Sequence, residues 1–161
     1  MNKLNLKLWK TIKSNDFKNV KHCIKTLKRK KVILSPWIEN IYFNKKNKIK
    51  ITKKKYNLYR LKVSKLGFKK ACKLKEIYKV IKINKYKLVP PEVALRCRLI
   101  YLEQKKGEWL RFATPFNSMI DTDKVPHLPK FGCALGLYFI ETYWSYPDAI
   151  FHPHNEFIVI A

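Results

Sequence analysis

The amino-acid sequence predicts an α+β protein, a small mixed domain with a Lys-rich, partly extended N-terminal half. Three observations lead to this prediction: apolar residues recur at helical spacing in some segments, alternate with polar residues in others, and make up 47% of the chain together with cysteine and the aromatics. Such a composition is atypical of disordered chains. The 161 residues leave room for one domain with extensions, and they argue against a two-domain enzyme.

The positive charge lies almost entirely in the first half of the chain. Residues 1–87 contain 29 of the 36 Lys and Arg residues but three acidic residues, whereas residues 88–161 contain seven basic and eight acidic residues. Biased coding can enrich Lys, which outnumbers Arg by 31 to five, but it does not explain the loss of acids from one half. We therefore predict two parts: a basic RNA-binding arm or extension with short helices and strands over 1–87, and a neutral, aromatic-rich globular part over 88–161.

The first predicted helix follows Ser14 and Asp16, either of which can cap a helix. An apolar seam recurs there at helical spacing, and a ridge of Lys runs beside it. The seam consists of Phe17, Val20, Ile24 and Leu27, and the ridge of Lys18, Lys21, Lys25 and Lys28. An organellar targeting peptide is also basic and amphipathic, but it is typically rich in Arg and Ser. We expect residues 1–31 to remain in the mature protein.

The stretch from Lys45 to Lys55 contains seven Lys in eleven residues, with Ile49 and Ile51 as its apolar positions. This pattern offers too little apolar surface to form a buried element. It predicts an exposed strand or arm, and it is the strongest single candidate for contact with RNA.

Other local patterns predict the remaining elements of the basic half. Ser35 and Pro36, with Glu39 in the first turn, indicate the start of a short helix. Alternation over residues 59–64 predicts a strand with one basic face, and helical spacing over 68–81 predicts a helix that ends before Asn84 and Lys85.

In the neutral half, a helix over 91–106 is predicted by Pro90-Pro91-Glu92 at its start and by Lys105-Lys106-Gly107 at its end. A loop over 121–129 follows. Residues 131–144 are apolar and aromatic, with Gly132 and Gly136 allowing close packing, and 157–160 predict a terminal buried strand.

The four cysteines, Cys23, Cys72, Cys97 and Cys133, lack the paired spacing of structural zinc sites. No secretory signal pattern precedes them, so we expect reduced, mostly buried thiols. The longest apolar stretch, 131–140, is about half of the ~20 residues that a membrane-spanning helix needs. The sequence therefore predicts no transmembrane span.

Residues with catalytic or metal-binding chemistry are scattered through the neutral half. His152 and His154 flank a proline, Asp121 and Asp123 precede His127, and Cys133 follows. Their spacing matches no metal site that chemistry can justify, and no group stands ready to complete a Cys-His pair. There is also no Gly-rich phosphate loop. We predict no metal, no cofactor and no enzymatic activity.

RNA binding requires cations that meet phosphates and flat side chains on which unpaired bases stack. Lys suits phosphate neutralisation, whereas base reading more often uses Arg, so we expect recognition of RNA shape and backbone. Candidate stacking residues are Tyr42, Phe43, Tyr56, Tyr59, Phe68, Tyr78 and Tyr86. The predicted RNA-binding residues are Lys18, Lys21, Lys25, Lys28, Arg29, Lys45, Lys46, Lys48, Lys50, Lys53, Lys54, Lys55, Arg60 and Lys62.

In build, the chain is similar to ribosomal proteins generally, which combine a small mixed domain with lysine-studded arms. The likeness implies a structural protein of a ribonucleoprotein that serves translation, with ribosomal RNA and neighbouring proteins as partners, and a chain that does not act as an isolated monomer. We expect an organellar ribosome in the mitochondrial matrix, with the cytoplasm as the alternative location. The competing function is an accessory subunit of a respiratory or ATP synthase complex whose basic segment lies on the mitochondrial inner membrane. Leu4, Leu6, Leu8 and Trp9 favour that alternative.

Overall fold

A seven-stranded mixed sheet forms the centre of the computed structural model, which describes residues 4–13 and 17–161. The strand order is β1-β3-β9-β5-β6-β7-β2, and a second sheet pairs β4 with β8. The elements are β1 (Leu8–Ile12), α1 (Val20–Arg29), β2 (Ile33–Leu34), α2 (Pro36–Phe43), β3 (Tyr56–Lys62), β4 (Cys72–Lys73), α3 (Leu74–Ile83), α4 (Pro91–Ile100), β5 (Leu110–Phe112), β6 (His127–Ala134), β7 (Leu137–Trp144), β8 (Ile150–Phe151) and β9 (Glu156–Ile160). This mixture of helices and sheet confirms the predicted α+β class.

The strands pair mostly antiparallel, but β2 runs parallel to β7 and β5 runs parallel to β9. The longest ladder is the β6–β7 hairpin, which turns at Leu135 and Gly136. Both turn residues have positive φ angles, 52° and 73°. That combination matches the right-handed twist of a two-residue hairpin, and glycine adopts it without strain.

Each face of the sheet covers its own hydrophobic cluster. Leu58 and Ile158 point to one face, where α1, α2 and α4 pack, and we call this side the α1 face. Leu61 and Phe157 point to the other, where α3 packs, and we call it the α3 face. Neighbouring residues of β3 and β9 thus serve opposite cores, as the period of two in a strand requires.

The central strands come from both of the predicted parts of the chain. β3, from residues 1–87, is hydrogen-bonded along its length to β9, from residues 88–161. Helix α1 likewise packs against α4. The change in charge after residue 87 therefore does not coincide with a boundary in the fold, because each part completes the sheet of the other. A fragment lacking residues 1–87 would lose three strands of the main sheet.

Helices α1 and α2 begin at local capping signals, whereas α3 does not begin where its apolar spacing predicts. Helix α2 begins after Ser35 with proline in its first turn, as predicted. The cap of α1 is Asn19, whose side chain accepts from the His22 amide at 2.9 Å, while Ser14 and Asp16 lie outside the described residues. Helix α3 begins at Leu74 and not at 68, because Cys72 and Lys73 form β4 against β8.

Helix α4 begins at Pro91 as predicted but ends at Ile100, well before residue 106. Arg98 explains the early end. Its buried guanidinium donates to the Tyr101 carbonyl and, at 2.6 Å, to the Gln104 side chain, so the chain folds back over Arg98 instead of continuing the helix. The predicted stop at Lys105-Lys106-Gly107 is wrong, and Gly107 lies in a separate turn.

The four cysteines are unpaired and buried, as the sequence predicted. Burial raises the pKa of Cys23 and of Cys97 to about 12. Across 4–13 and 17–161, no helix has both the length and the apolar character to cross a membrane.

Candidate nucleic-acid interface

Helix α1 presents its lysines to solvent because its apolar seam is used by the core. Val20, Ile24 and Leu27 are buried in the α1-face cluster, and Phe17 packs against it. The Lys side chains of the predicted ridge lie on the exposed side. Lys28 forms an ion pair with Glu39 of α2 at 2.5 Å, and both side chains are largely exposed. An exposed pair of this kind contributes little stability.

Residues 45–55, the Lys-rich loop, are tied down where they begin. The Asn47 side chain donates to the carbonyls of Ile41 and Ile120, both at 2.8 Å, and accepts from the Ile120 amide at 2.9 Å. Asn44 donates to the same Ile120 carbonyl at 3.1 Å. These bonds attach the first turn of the loop, a 3-10 segment at Lys45–Asn47, to a loop of the neutral half.

A buried ion pair of α4 holds the end of the Lys-rich loop. Arg96 and Glu92 are four residues apart, almost fully buried and 3.2 Å from each other. Glu92 accepts from the Thr52 hydroxyl at 2.7 Å. Arg96 donates to the carbonyls of Thr52 at 3.1 Å, Lys54 at 3.0 Å and Lys13 at 2.7 Å, so the loop and the segment before α1 meet at one guanidinium.

The middle of the loop rests on the core through Ile49 and Ile51, which pack against the α1-face cluster. The predicted exposed strand or arm is therefore a loop that follows the protein surface. Its seven lysines all remain exposed, and none forms an ion pair with a carboxylate of the described residues. The Asn47 amide, the Thr52 hydroxyl, backbone carbonyls and the two isoleucines fix the loop, and its ammonium groups are exposed to solvent.

We define the basic surface as the exposed cations of α1, its N-terminal flank and the Lys-rich loop. It comprises twelve of the fourteen predicted RNA-binding residues: Lys18, Lys21, Lys25, Lys28, Arg29, Lys45, Lys46, Lys48, Lys50, Lys53, Lys54 and Lys55.

The two other predicted residues lie elsewhere. Arg60 donates to both carboxylate oxygens of Glu156, at 2.9 and 2.7 Å, and contacts Glu108 at 2.6 Å. These carboxylates raise its pKa and occupy its guanidinium, so Arg60 serves the fold and is not part of the basic surface. Lys62 is exposed at the end of β3 away from the loop, roughly 20 Å along the strand.

The opposite side of the sheet is also basic. Lys75, Lys79 and Lys82 of α3 are exposed on the α3 face. Unlike the loop lysines, Lys75 is paired: it lies 2.9 Å from Asp148, which also contacts Lys73. The two neighbours lower the pKa of Asp148.

Most of the predicted stacking residues are used inside the protein. Tyr42 and Tyr78 are buried and donate to backbone carbonyls at 2.7 and 2.8 Å. Among the seven candidates, Phe43 is the exposed one, at 46%. The larger exposed aromatic group is formed by Trp37 with Trp144, which sequence reasoning missed because the fold alone brings these residues together.

The polar residues singled out in the neutral half lie in separate places in the fold. Asp121 and His127 form a buried pair at 2.9 Å, and Asp121 accepts two further backbone N–H bonds. Cys133 lies at the opposite end of β6 from His127. The rings of His152 and His154 stack 5.6 Å apart in a loop. In the part of the chain that the structure describes, no group of three or more His, Cys, Asp and Glu side chains is placed to hold a metal.

No protein-family model, curated protein or solved structure matches this chain. The anchors of the Lys-rich loop escaped sequence reasoning as well. Glu92 and Arg96 sit at i and i+4 of a predicted helix, a spacing that usually indicates a surface pair, and nothing local shows that Thr52 and Lys54 complete it.

Proposed function

We propose that the protein is a structural RNA-binding protein whose basic surface lies against RNA phosphates. The observation that carries the proposal is the Lys-rich loop: seven exposed ammonium groups without carboxylate neighbours among the described residues, on a backbone attached at both ends. Dense positive charge repels itself and favours a polyanionic partner.

The anchored backbone matters because ordering a loop on binding costs free energy. The side chain of Asn47 and the ion pair of Glu92 with Arg96 already hold the loop path before any ligand arrives. The remaining cost is the ordering of the lysine side chains. Lys neutralises phosphates as a point charge and carries little base specificity, so the surface suits the shape and backbone of folded RNA.

The assembly that fits this chemistry is a ribosome, and we propose an organellar one in the mitochondrial matrix, with the cytoplasm as the alternative. The proposal rests on charge, on small size and on the similarity of build to ribosomal proteins. Ribosomal RNA and neighbouring ribosomal proteins would be the partners. No catalytic step is proposed.

The membrane alternative predicts apolar side chains beside the lysines that are free to enter lipid. Leu4 and Leu6 pack against the α3-face cluster, and Trp9 meets Tyr101 edge-on at 4.9 Å. Leu8, at 48% exposure, is the one apolar residue of this group that faces solvent. The apolar seam of α1 is also buried, so α1 and the Lys-rich loop themselves offer lipid charge but little to insert. Exposed Trp37, Phe43 and Trp144 lie beside them, and the vesicle measurement below therefore decides between lipid and RNA.

The proposal is tested by measuring affinity for a folded RNA hairpin between about 50 and 200 mM salt. With roughly eight phosphates neutralised, the dissociation constant should rise by several orders of magnitude over that range. A loop variant with Lys45, Lys46, Lys48 and Lys50 changed to Gln should bind more weakly and with a shallower salt dependence. A matched α3-face variant, with Lys69, Lys70, Lys79 and Lys82 changed to Gln, should bind nearly as wild type does.

Equal losses in the two variants would show that net charge alone drives binding and would overturn the assignment to the basic surface. A flat salt response would overturn the electrostatic proposal itself. Vesicles of anionic phospholipid, tested with the same two variants, decide the membrane alternative. Co-sedimentation with ribosomal subunits, compared with membrane complexes from the same cells, tests the proposed assembly.

A further inference from the structure

An open aromatic pocket lies beside the basic surface, at the C-terminal end of β7. The rings of Trp37 and Trp144 form its walls, and His127, on which Trp37 stacks, and Thr142 lie between them. Tyr143 also lines the pocket, but its ring packs against Phe151 on the other face of the sheet. Trp144 is 62% exposed and Trp37 is 42% exposed, although large aromatic side chains are usually well buried. We call this site the aromatic pocket.

The floor of the pocket is polar, and two hydrogen bonds join His127 to Asp121 and to Thr142. The Asp121 carboxylate, whose pKa is kept low by bonds from His127 and from two backbone amides that outweigh burial, accepts from Nε2 of His127 at 2.9 Å. In the neutral imidazole, Nδ1 then accepts from the Thr142 hydroxyl at 3.0 Å. The Thr142 oxygen retains a lone pair whether His127 is neutral or protonated, so the floor can receive an N–H group from a ligand.

The volume of the pocket, about 230 Å³, is below the roughly 300–1,000 Å³ of sites that enclose whole cofactors. Aromatic walls with a hydrogen-bond acceptor at the floor suit one planar heterocycle that carries an N–H edge. A nucleobase has both features, since its faces stack and its Watson–Crick edge carries N–H donors.

Helix α2 connects the pocket to the basic surface. Trp37 is in its first turn, and Lys45 follows its end, roughly 12 Å farther along the axis. The loop that carries Asp121 is bound to the same region, because Asn40 of α2 bonds Thr122 and Asn47 bonds Ile120. A strand with one base in the pocket therefore has its neighbouring phosphates within reach of the Lys-rich loop.

We propose that the aromatic pocket holds one unpaired nucleobase of the RNA strand whose phosphates lie on the basic surface. This inference rests on the proposed function and deepens it. The protein distinguishes single-stranded or bulged positions from continuous duplex by accepting a base that a duplex keeps stacked.

The test compares a 12-nucleotide single-stranded RNA with a 12-base-pair RNA duplex as ligands of the full chain. Trp37→Ala and Trp144→Ala should each weaken single-strand binding about tenfold, as loss of one stacked base does, and leave duplex binding unchanged. Trp109→Ala is the matched control and should leave both affinities unchanged, since Trp109 is a tryptophan of similar exposure, 39%, that does not line the pocket. Trp37→Phe should retain most of the affinity, because a phenyl ring still stacks.

Unfolding midpoints of the variants establish that the fold is intact, and exposed Trp144 carries little risk of disrupting it. The inference is overturned if both Trp variants bind single-stranded RNA as wild type does. It is also overturned if they lose affinity for the duplex as much as for the single strand. In either case the proposed function stands if the loop lysine variant still loses RNA affinity. If the lysine variant binds RNA as wild type does, the proposed function fails whatever the Trp variants show. If the pocket binds a protein partner instead of a base, the Trp variants should bind single-stranded RNA as wild type does.

Discussion

Helices α1 and α3 have the same length and the same amphipathic, lysine-bearing pattern, yet they lie on opposite faces of one sheet in different surroundings. Helix α3 has Glu76 in its first turn, and Asp148 pairs with Lys75 beside it. Helix α1 has no acid in its first turn, and the acid-free Lys-rich loop lies on the same face. Each helix has one ion-paired lysine, Lys28 with Glu39 and Lys75 with Asp148. The two surfaces differ because the Lys-rich loop adds seven lysines without a carboxylate partner among the described residues to the α1 face alone.

The two faces also differ in how polar groups are used. On the α1 face, the ion pair of Glu92 with Arg96 and the pair of Asp121 with His127 are buried. On the α3 face, the pair of Lys75 with Asp148 is exposed. Buried pairs position backbone segments, here the Lys-rich loop and the floor of the aromatic pocket, whereas exposed pairs are screened by water and salt.

The largest expected effect comes from breaking the α1-face anchor. Arg96→Met should destabilise the protein by about 3–5 kcal/mol, because it leaves the Glu92 carboxylate buried without its cation. It also removes the donor shared by the Lys13, Thr52 and Lys54 carbonyls. Denaturant unfolding measures the change.

Two controls sharpen that measurement. The double variant Glu92→Met with Arg96→Met should recover part of the loss, since no lone charge remains buried. On the α3 face, Lys75→Met should leave the unfolding midpoint close to wild type, because its partner Asp148 is exposed. A midpoint for Arg96→Met equal to that of wild type would contradict the anchoring role.

A smaller effect is the pH dependence of stability that comes from Asp121 on the α1 face. Folding lowers the pKa of Asp121, so its stabilising contribution is present above the unfolded pKa near 3.9 and is lost as the pH falls through the folded value. Asp121→Asn should cost about 1–2 kcal/mol at pH 7. The gap to wild type should stay constant down to roughly pH 5 and close towards pH 3.

Asp148 provides the comparison on the α3 face. Its pKa is also lowered, by Lys75 and Lys73, but the groups are exposed. Any pH-dependent gap between wild type and Asp148→Asn should therefore disappear in about 1 M salt, whereas the gap for Asp121→Asn should persist. Equal salt sensitivity of the two gaps would contradict the burial argument.

Local patterns predicted much of the fold because the features involved are local. The apolar seam of α1, the starts of α2 and α4 and the last strand all follow from residues close in sequence. The end of α4 could not be predicted in this way. Arg98 stops the helix through contacts of its buried guanidinium, and a sequence pattern does not show that an arginine is buried.

In the candidate site as well, local features were predictable from the sequence and contacts between distant residues were not. The exposure of the α1 lysines follows from the spacing of the apolar seam beside them. The exposure of the loop lysines follows from the scarcity of apolar residues between them. The attachment of the loop to Ile120 and Arg96 depends on partners distant in sequence, and so does the meeting of Trp37 with Trp144. The boundary predicted at residue 87 follows from charge, and charge carries no information on the pairing of β3 with β9 across it.

Thiol labelling compares the stability of the two faces without changing charge. Burial raises the pKa of Cys23 and Cys97 on the α1 face to about 12. Burial also raises the pKa of Cys72 on the α3 face, but Cys72 belongs to a two-residue strand that, in the described structure, pairs only with β8. At pH 8, Cys72 should therefore react with a thiol reagent before Cys23 and Cys97, which should become reactive on global unfolding. Mass spectrometry of labelled peptides gives the order, and simultaneous labelling would contradict it.

The smallest effect concerns single lysines. Lys50 lies between the two isoleucines that seat the Lys-rich loop, and Lys79 is its counterpart in the middle of α3; both are exposed. If Lys50 meets one phosphate, Lys50→Gln should reduce the slope of log affinity against log salt by about 0.9, or by about 0.7 on single-stranded RNA. Lys79→Gln should leave that slope unchanged, although it removes the same charge from the protein. Because the two variants have equal net charge, a difference in slope reports where the RNA lies, and equal slopes would place it on neither face in particular.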